Sequence, residues 1–239
     1  MIPAEYVWFT WASAFLVPWA VLYWRFPVHR PAMRWASLFT MPFGLTEPLF
    51  VPEYWLPPSL FDLANRTGFD VESLIFSFAI GGVAVVLVNL ATGRTLQEMP
   101  EEERHHRDHR WHRVAVVVPF LLFPVLLPLG WNPIYPGILA MAAGAAMTYW
   151  CRRDLGGTIA MGAALFVGYY TVFLVGLHYT APEGYIRQVW NLAALRGGLL
   201  GFIPLEELLF AAAFGAYWSA VYQHLTWTRA EDRHEGGAP

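Results

Sequence analysis

Long apolar segments recur along almost the whole chain, separated by short polar stretches. They cover about 4–24, 35–51, 69–93, 114–130, 133–150, 158–178 and 197–222. A helix needs about 20 apolar residues to cross the hydrocarbon core of a bilayer. The pattern therefore predicts an all-α, polytopic transmembrane helix bundle of about seven spans.

The charge distribution predicts how this bundle is oriented. Only 14% of the 239 residues are charged, and every basic residue is an arginine. On the predicted loops, Arg66, Arg187 and Arg196 fall on one side and all other arginines on the opposite side. Because cytoplasmic loops are enriched in basic residues, we expect an integral protein of the cytoplasmic (plasma) membrane, with its N-terminus outside and its C-terminus in the cytoplasm.

The polar stretches divide the chain into parts. We expect a first membrane half over 1–96, a polar cytoplasmic linker over 97–113, a second membrane half over 114–228 and a disordered tail over 229–239. The two halves look related, since residues 70–76 read DVESLIF and residues 204–210 read PLEELLF. Internal repeats are typical of membrane bundles that hold a central site.

Adjacent glutamates, Glu206 and Glu207, interrupt the last apolar segment. An ionisable side chain in the bilayer costs about 2.5 to 3.5 kcal/mol on insertion scales, so such a residue is a functional candidate by default. Burial and mutual repulsion favour the neutral form of at least one of two neighbouring carboxyls. One of the pair could then protonate an alkene while the other assists as a charge or base. The alternative is that the pair only joins helices through polar contacts.

Proline, glycine and aromatic residues surround this acidic pair. Pro204 follows Gly197, Gly198 and Gly201, which predicts a kink and a small cavity in the helix. The aromatic faces that follow at helical spacing could stabilise a carbocation, although such a stripe is also ordinary packing. These candidate substrate-binding residues are Phe210, Phe214, Tyr217 and Trp218.

Two acids in the first half are further catalytic candidates. Glu47 lies well inside the second apolar segment, beside Pro48. Glu72 holds the repeat position of Glu206, with Ser73 where a second acid would stand, and could equally be an interfacial acid at a helix N-terminus. Phe76, at the end of the first repeat, joins the predicted substrate-binding residues.

Metal and cofactor sites are not expected. His105, His106, His109 and His112 form the one histidine cluster, and part of it shares a helical face, but membrane di-iron enzymes need several such groups. The chain has no lysine for a retinal Schiff base, no Asp-rich magnesium motif and no glycine-rich nucleotide turn after a strand.

The residues at 204–210 resemble the Pro-x-Glu-Glu-x-x-Phe motif of the integral-membrane lycopene cyclase domain family, in which each half carries one copy. The first copy here departs from that motif, with Asp70 for Pro and Ser73 for Glu. The resemblance implies a non-redox reaction without a cofactor. An acid protonates the end of an acyclic polyene, an internal alkene closes onto the cation, and loss of a proton gives a β-ring.

We therefore predict a carotenoid cyclase of the lycopene β-cyclase type that uses Glu206, Glu207, Glu47 and Glu72. A carotenoid hydratase, another proton-initiated terpenoid cyclase, a non-enzymatic proton- or lipid-binding membrane protein and a structural subunit remain open. The expected partners are a lipophilic polyene or isoprenoid substrate and membrane lipid, with no nucleic acid. Assembly as a homo-oligomer is left open.

Overall fold

The computed structural model describes residues 1–104, 109 and 111–232. The protein is mostly helical, as expected. The first half contains α1 Ala4–Ala14, α2 Leu16–Arg25, α3 Arg30–Thr40, a 3₁₀ helix Met41–Leu49, α4 Leu63–Thr67, α5 Val71–Thr92 and β1 Thr95–Glu98. The rest contains α6 Glu101–Arg104, α7 His112–Leu126, α8 Ile134–Cys151, α9 Gly156–Thr180, α10 Tyr185–Val189, β2 Leu199–Leu200, β3 Ile203–Pro204, α11 Leu205–Thr226 and β4 Thr228–Glu231.

Helices α5 and α11 form the centre of the bundle. Helix α5 packs against α1, α2, α3 and the 3₁₀ helix Met41–Leu49, whereas α11 packs against α8 and α9. The two central helices also contact each other. Glu72 and Glu207 both lie in first helical turns, so the acids of both halves are placed near the same interface.

Small residues allow the central helices to approach their neighbours closely. Gly162 of α9 faces Gly215 of α11, where an added Cβ on either glycine would lie within 2.7 Å of the other's carbonyl oxygen. Helix α3 is joined to α5 by the hydroxyl of Thr40, which donates to the Ser77 carbonyl oxygen at 2.7 Å. Close backbone approach and interhelical hydrogen bonds are the usual means of helix association in membranes.

Four helical stretches of the described chain are long and apolar enough to cross a membrane. They are Ala4–Arg25, Val71–Thr92, His112–Leu129 and Arg153–Thr180. The count of seven spans and the relation between the halves stay predictions. The second predicted segment is divided between α3 and the 3₁₀ helix Met41–Leu49, where Pro48 has no backbone N–H to donate to an α-helical hydrogen bond.

The predicted start of the last span is wrong. Residues 199–204 form the hairpin of β2 and β3, and Pro204 is the N-cap of α11 and not a kink within it. Gly198 and Gly201 have φ of 68°, a left-handed conformation that suits glycine in a turn and not in a helix. Glu206 and Glu207 consequently lie in the first turn of α11 and do not interrupt the helix.

Two short strands join the ends of the two halves. Strand β1 pairs antiparallel with β4, with Thr95 opposite Glu231 and Glu98 opposite Thr228. The first residues of the predicted disordered tail are therefore part of a strand. Residues 233–239 of that tail, as well as His105 and His106 of the histidine cluster, lie outside the described residues.

Candidate functional site

An apolar cavity lies where the central helices meet. Its volume is about 310 Å³, and it is partly open to the surroundings. Its walls come from α5, α7, α8, α9, α11 and the 3₁₀ helix Met41–Leu49, so both halves contribute. Aromatic rings dominate the lining: Phe43, Phe50, Phe76, Phe120, Phe123, Phe210, Phe214 and Trp218.

Glu207 lines this cavity and accepts hydrogen bonds on both carboxyl oxygens. Its side chain is buried, with 4% exposed. Trp190 Nε1 donates to Oε1 at 2.6 Å, the Tyr54 hydroxyl donates to the same oxygen, and the Tyr170 hydroxyl donates to Oε2 at 2.8 Å. An indole N–H can only donate, so the Oε1 atom must act as an acceptor. The arrangement suits Glu207 as a negative charge or a base.

Loops from the two halves hold the donors in place. Trp55 forms an antiparallel backbone bridge with Trp190, and Leu56 N donates to the Val189 carbonyl oxygen at 2.8 Å. Asn191 N returns a hydrogen bond to the Tyr54 carbonyl oxygen at 2.9 Å. Burial, reinforced by the nearby Glu207 charge, raises the pKa of Tyr54 well above its ordinary value. Tyr54 therefore keeps its proton and remains a donor.

Glu47 is the second acid that lines the cavity. It lies in the 3₁₀ helix Met41–Leu49 with 4% of its surface exposed. Its Oε2 accepts from the Asp70 backbone N–H at 3.2 Å, whereas its Oε1 is buried and has no hydrogen-bond partner among the described residues. Two buried carboxyls in contact, Glu47 and Asp70, do not readily ionise together.

Gly44 explains how the 3₁₀ helix Met41–Leu49 reaches this position. A Cβ at Gly44 would lie 2.6 Å from the backbone nitrogen of Leu74 and 2.6 Å from the backbone carbon of Ser73. The missing side chain therefore allows the 3₁₀ helix to lie directly against the first turn of α5. Ser73, at the repeat position of Glu207, lines the cavity beside Glu47.

Glu206 and Glu72 lie outside the cavity lining. Glu206 Oε1 accepts from Gly197 N at 2.7 Å, from Arg196 N at 3.1 Å and from the Tyr135 hydroxyl at 2.5 Å. Glu72 Oε1 accepts from Leu60 N at 2.6 Å. Both acids thus hold the loop that precedes their own helix, and both lie in a first turn, where the helix dipole favours negative charge.

The structure brings most of the predicted site residues together. Phe76, Phe210, Phe214, Tyr217 and Trp218 line the same cavity as Glu47 and Glu207, whereas Glu72, Pro204 and Glu206 do not. Ring centroids along one wall are 5.6 Å apart between Phe210 and Phe214 and 5.8 Å apart between Phe214 and Trp218. These ring faces can stabilise a developing positive charge.

Sequence reasoning missed the three donors to Glu207. Trp190 and Tyr170 lie in separate elements and have no spacing that links them to the acid. Tyr54 did carry a signal, because it ends the Pro52-Glu53-Tyr54 segment that matches Pro182-Glu183-Gly184-Tyr185 of the second half. Tyrosine and tryptophan in an apolar interior usually need a hydrogen-bond partner, which a buried glutamate supplies.

Residues 132–225 match the family model described as Lycopene cyclase. The matched segment contains Tyr170, Trp190 and Glu207, and it forms the second-half wall of the cavity except for the part that α7 supplies. No curated protein matches the chain significantly, and no solved structure does so either.

Proposed function

We propose that this chain is a membrane-embedded carotenoid cyclase that closes the end of an acyclic polyene into a β-ring, because residues 132–225 match the lycopene cyclase family model. The observation that carries the proposal is the pair of buried acids, Glu47 and Glu207, on the walls of one aromatic cavity. The reaction is an isomerisation, so it consumes no oxidant, reductant or cofactor.

The cavity suits a polyene end group in shape and polarity. A hydrocarbon chain gains from burial among Phe76, Phe120 and Phe210, and it requires no hydrogen-bond donors or acceptors. Because the cavity is partly open, the end group can enter while the rest of the polyene lies among lipid chains. We therefore place the chain in the cytoplasmic membrane, with its apolar helices crossing the bilayer.

We assign proton donation to Glu47 and charge stabilisation to Glu207. Glu47 has an oxygen free of hydrogen bonds from the described residues, and its neighbour Asp70 favours a shared proton within the pair. Glu207 has three donors, which favour a carboxylate. A proton leaves Glu47 for the terminal double bond, the next alkene bonds to the resulting cation, and Glu207 faces the positive charge in the cavity.

Loss of a ring proton completes the reaction. A carboxylate on the cavity wall accepts that proton, so the product has the same atoms as the substrate.

The residual alternative is attack by water on the first cation, which gives a hydroxylated acyclic product through the same proton-donation step. The competition depends on how well the aromatic walls exclude water from the cation.

Product analysis in a lycopene-accumulating host tests the proposal. We expect β- or γ-carotene from the wild-type chain, whereas a hydroxylated acyclic product would support a hydratase. Glu47→Gln and Glu207→Gln should each lower ring formation about 100-fold or more, the usual contribution of a general acid or base. Unchanged lycopene beside well-expressed, folded protein would contradict both reactions.

Two further glutamate variants serve as controls. The exposed Glu183→Gln should retain full ring formation. Glu206→Gln removes one charge from the position next to Glu207, and we expect a lower melting temperature with ring formation largely retained, because Glu206 holds the loop at Arg196 and Gly197. An inactive Glu206→Gln with unchanged melting temperature would instead place Glu206 in the chemistry.

A further inference from the structure

A second group of ligand-type side chains lies at the far end of the bundle. His112 begins α7, Cys151 ends α8, and His224 lies in the last turn of α11. Along α11, His224 is about 25 Å from Glu207 at 1.5 Å rise per residue. The group is therefore separate from the aromatic cavity, and none of its members lines that cavity.

The three side chains are close enough to share one ion. One ligand atom from each lies within 4.8 Å of the others. Cys151 Sγ is 3.9 Å from His112 Nδ1 and 3.6 Å from Nδ1 of His109. In a tetrahedral zinc site with bonds of about 2.3 Å to sulfur and 2.0 Å to nitrogen, S···N separations are roughly 3.6 Å. Only small side-chain movements are needed to bring the three ligand atoms to these distances.

His224 supplies independent evidence for a missing ligand. Its side chain has 0% of its surface exposed, and neither ring nitrogen has a hydrogen-bond partner among the described residues. Buried polar groups are nearly always paired, because their desolvation is otherwise uncompensated. A metal ion bonded to one ring nitrogen would supply the missing interaction.

Ring contacts hold these imidazoles in place. Trp227 stacks on His112 with ring centroids 3.9 Å apart and an interplanar angle of 11°. The edge of the same indole meets His109 at 5.1 Å, and the His112 and His224 centroids are 4.1 Å apart. The rings of His112 and His224 are consequently held by packing between the start of α7 and the end of α11.

The local charge also permits a cation. Arg152, next to Cys151 in the chain, is a buried positive group, but Asp154 binds its guanidinium through two hydrogen bonds of 2.8 and 2.6 Å. The same guanidinium donates to the Thr228 carbonyl oxygen at 3.0 Å. Metal binding would convert Cys151 to a thiolate, which adds a negative charge at the ion.

We propose that His112, Cys151 and His224 bind a zinc-like divalent metal ion that fastens together the ends of α7, α8 and α11. One thiolate with two imidazoles is a ligand set typical of Zn²⁺ and of its spectroscopic substitute Co²⁺. His109, whose Nδ1 lies 3.6 Å from Cys151 Sγ, is the nearby imidazole that could add a fourth ligand. The sequence predicted no metal, because Cys151 and His224 are far from the histidine cluster along the chain.

Cobalt titration of the purified full-length chain in detergent tests this site. We expect about one equivalent of Co²⁺, with a thiolate charge-transfer band and the visible absorption of tetrahedral cobalt. Cys151→Ser and His224→Gln should abolish the band or weaken binding at least about tenfold. His178 lies in the last turn of α9 and is not part of the proposed site, so His178→Gln should bind cobalt like the wild type.

Thermal unfolding with and without a chelator distinguishes loss of the metal site from failure of a variant to fold. Chelation should lower the melting temperature of the wild type and of His178→Gln, but leave that of Cys151→Ser unchanged. His109→Gln should keep the charge-transfer band and weaken binding. The proposal would be overturned if folded wild-type protein bound no cobalt and showed no charge-transfer band. It would also be overturned if Cys151→Ser and His178→Gln bound cobalt with equal affinity.

Discussion

At the scale of single residues, the surroundings of each glutamate separate four similar side chains into two kinds. Glu207 and Glu47 have their carboxyl groups on the cavity wall, whereas Glu206 and Glu72 accept hydrogen bonds from backbone N–H groups of the preceding loop. Motif position alone does not make this separation, because Glu206 and Glu207 are neighbours in sequence. It follows from the helical rotation of about 100° between them.

Removal of one donor tests the charge assigned to Glu207. Tyr170→Phe deletes the hydroxyl that donates to Oε2. A hydrogen bond to a charged group contributes about 1.5 to 3 kcal/mol, which corresponds to about a 10- to 100-fold slower ring formation if the bond acts in the transition state. Initial rates of ring formation in membranes measure the effect.

Tyr169→Phe is the matched control for this prediction. Tyr169 precedes Tyr170 on α9, its hydroxyl has no hydrogen-bond partner among the described residues, and it does not line the cavity. We expect the rate of ring formation by Tyr169→Phe to stay within about twofold of the wild type, since this change removes no hydrogen bond to Glu207. Equal losses in both variants would mean that the Tyr170 effect is not electrostatic.

At the scale of helices and loops, hydropathy predicted the helices far better than the segments between them. The helical bundle and the helices over about 69–93 and 158–178 agree with α5 and α9, because uninterrupted apolar runs leave the backbone no other partners in a membrane. Pro48 and the glycines at 198 and 201 mark the places where the prediction failed. The side chains there are apolar, so hydropathy did not distinguish the 3₁₀ helix and the hairpin from a continuous helix.

The contact between α9 and α11 gives a prediction about stability. Gly162→Ala would place a Cβ 2.1 Å from Ser219 Oγ and 2.7 Å from the Gly215 carbonyl oxygen. Overpacking of this kind costs about 1 to 3 kcal/mol, because the helices must separate. We expect a lower melting temperature in detergent, and reduced ring formation because Phe210 and Phe214 belong to the displaced helix.

Gly168→Ala is the control on the same helix. A Cβ at Gly168 would meet no atom within 4 Å. Because alanine favours helix by about 1 kcal/mol over glycine, this variant should be as stable as the wild type or slightly more stable. A similar loss of stability in both variants would show that alanine disturbs α9 itself and not its contact with α11.

At the scale of the whole molecule, the candidate site lies where both halves meet. The first half supplies Glu47, Tyr54 and Phe76, and the second supplies Glu207 and Trp190. Sequence patterns locate candidates within each half, but they cannot give distances between residues that lie more than a hundred positions apart. For that reason the sequence could mark Glu47 and Glu207 as candidates, whereas it could not predict the hydrogen bond from Tyr54 to Glu207.

This division of the site predicts how the chain behaves when it is cut between the halves. Co-expression of residues 1–104 and 105–239 should restore ring formation, because the pieces meet through the contacts of α5 with α9 and α11, the Trp55–Trp190 bridge and the β1–β4 pair. Either piece alone should form no ring, since each lacks one cavity acid. Carotenoid analysis measures the outcome, with Glu207→Gln in the second piece as the inactive control. Ring formation by residues 105–239 alone would contradict a role for Glu47, because the second half would then hold a complete site.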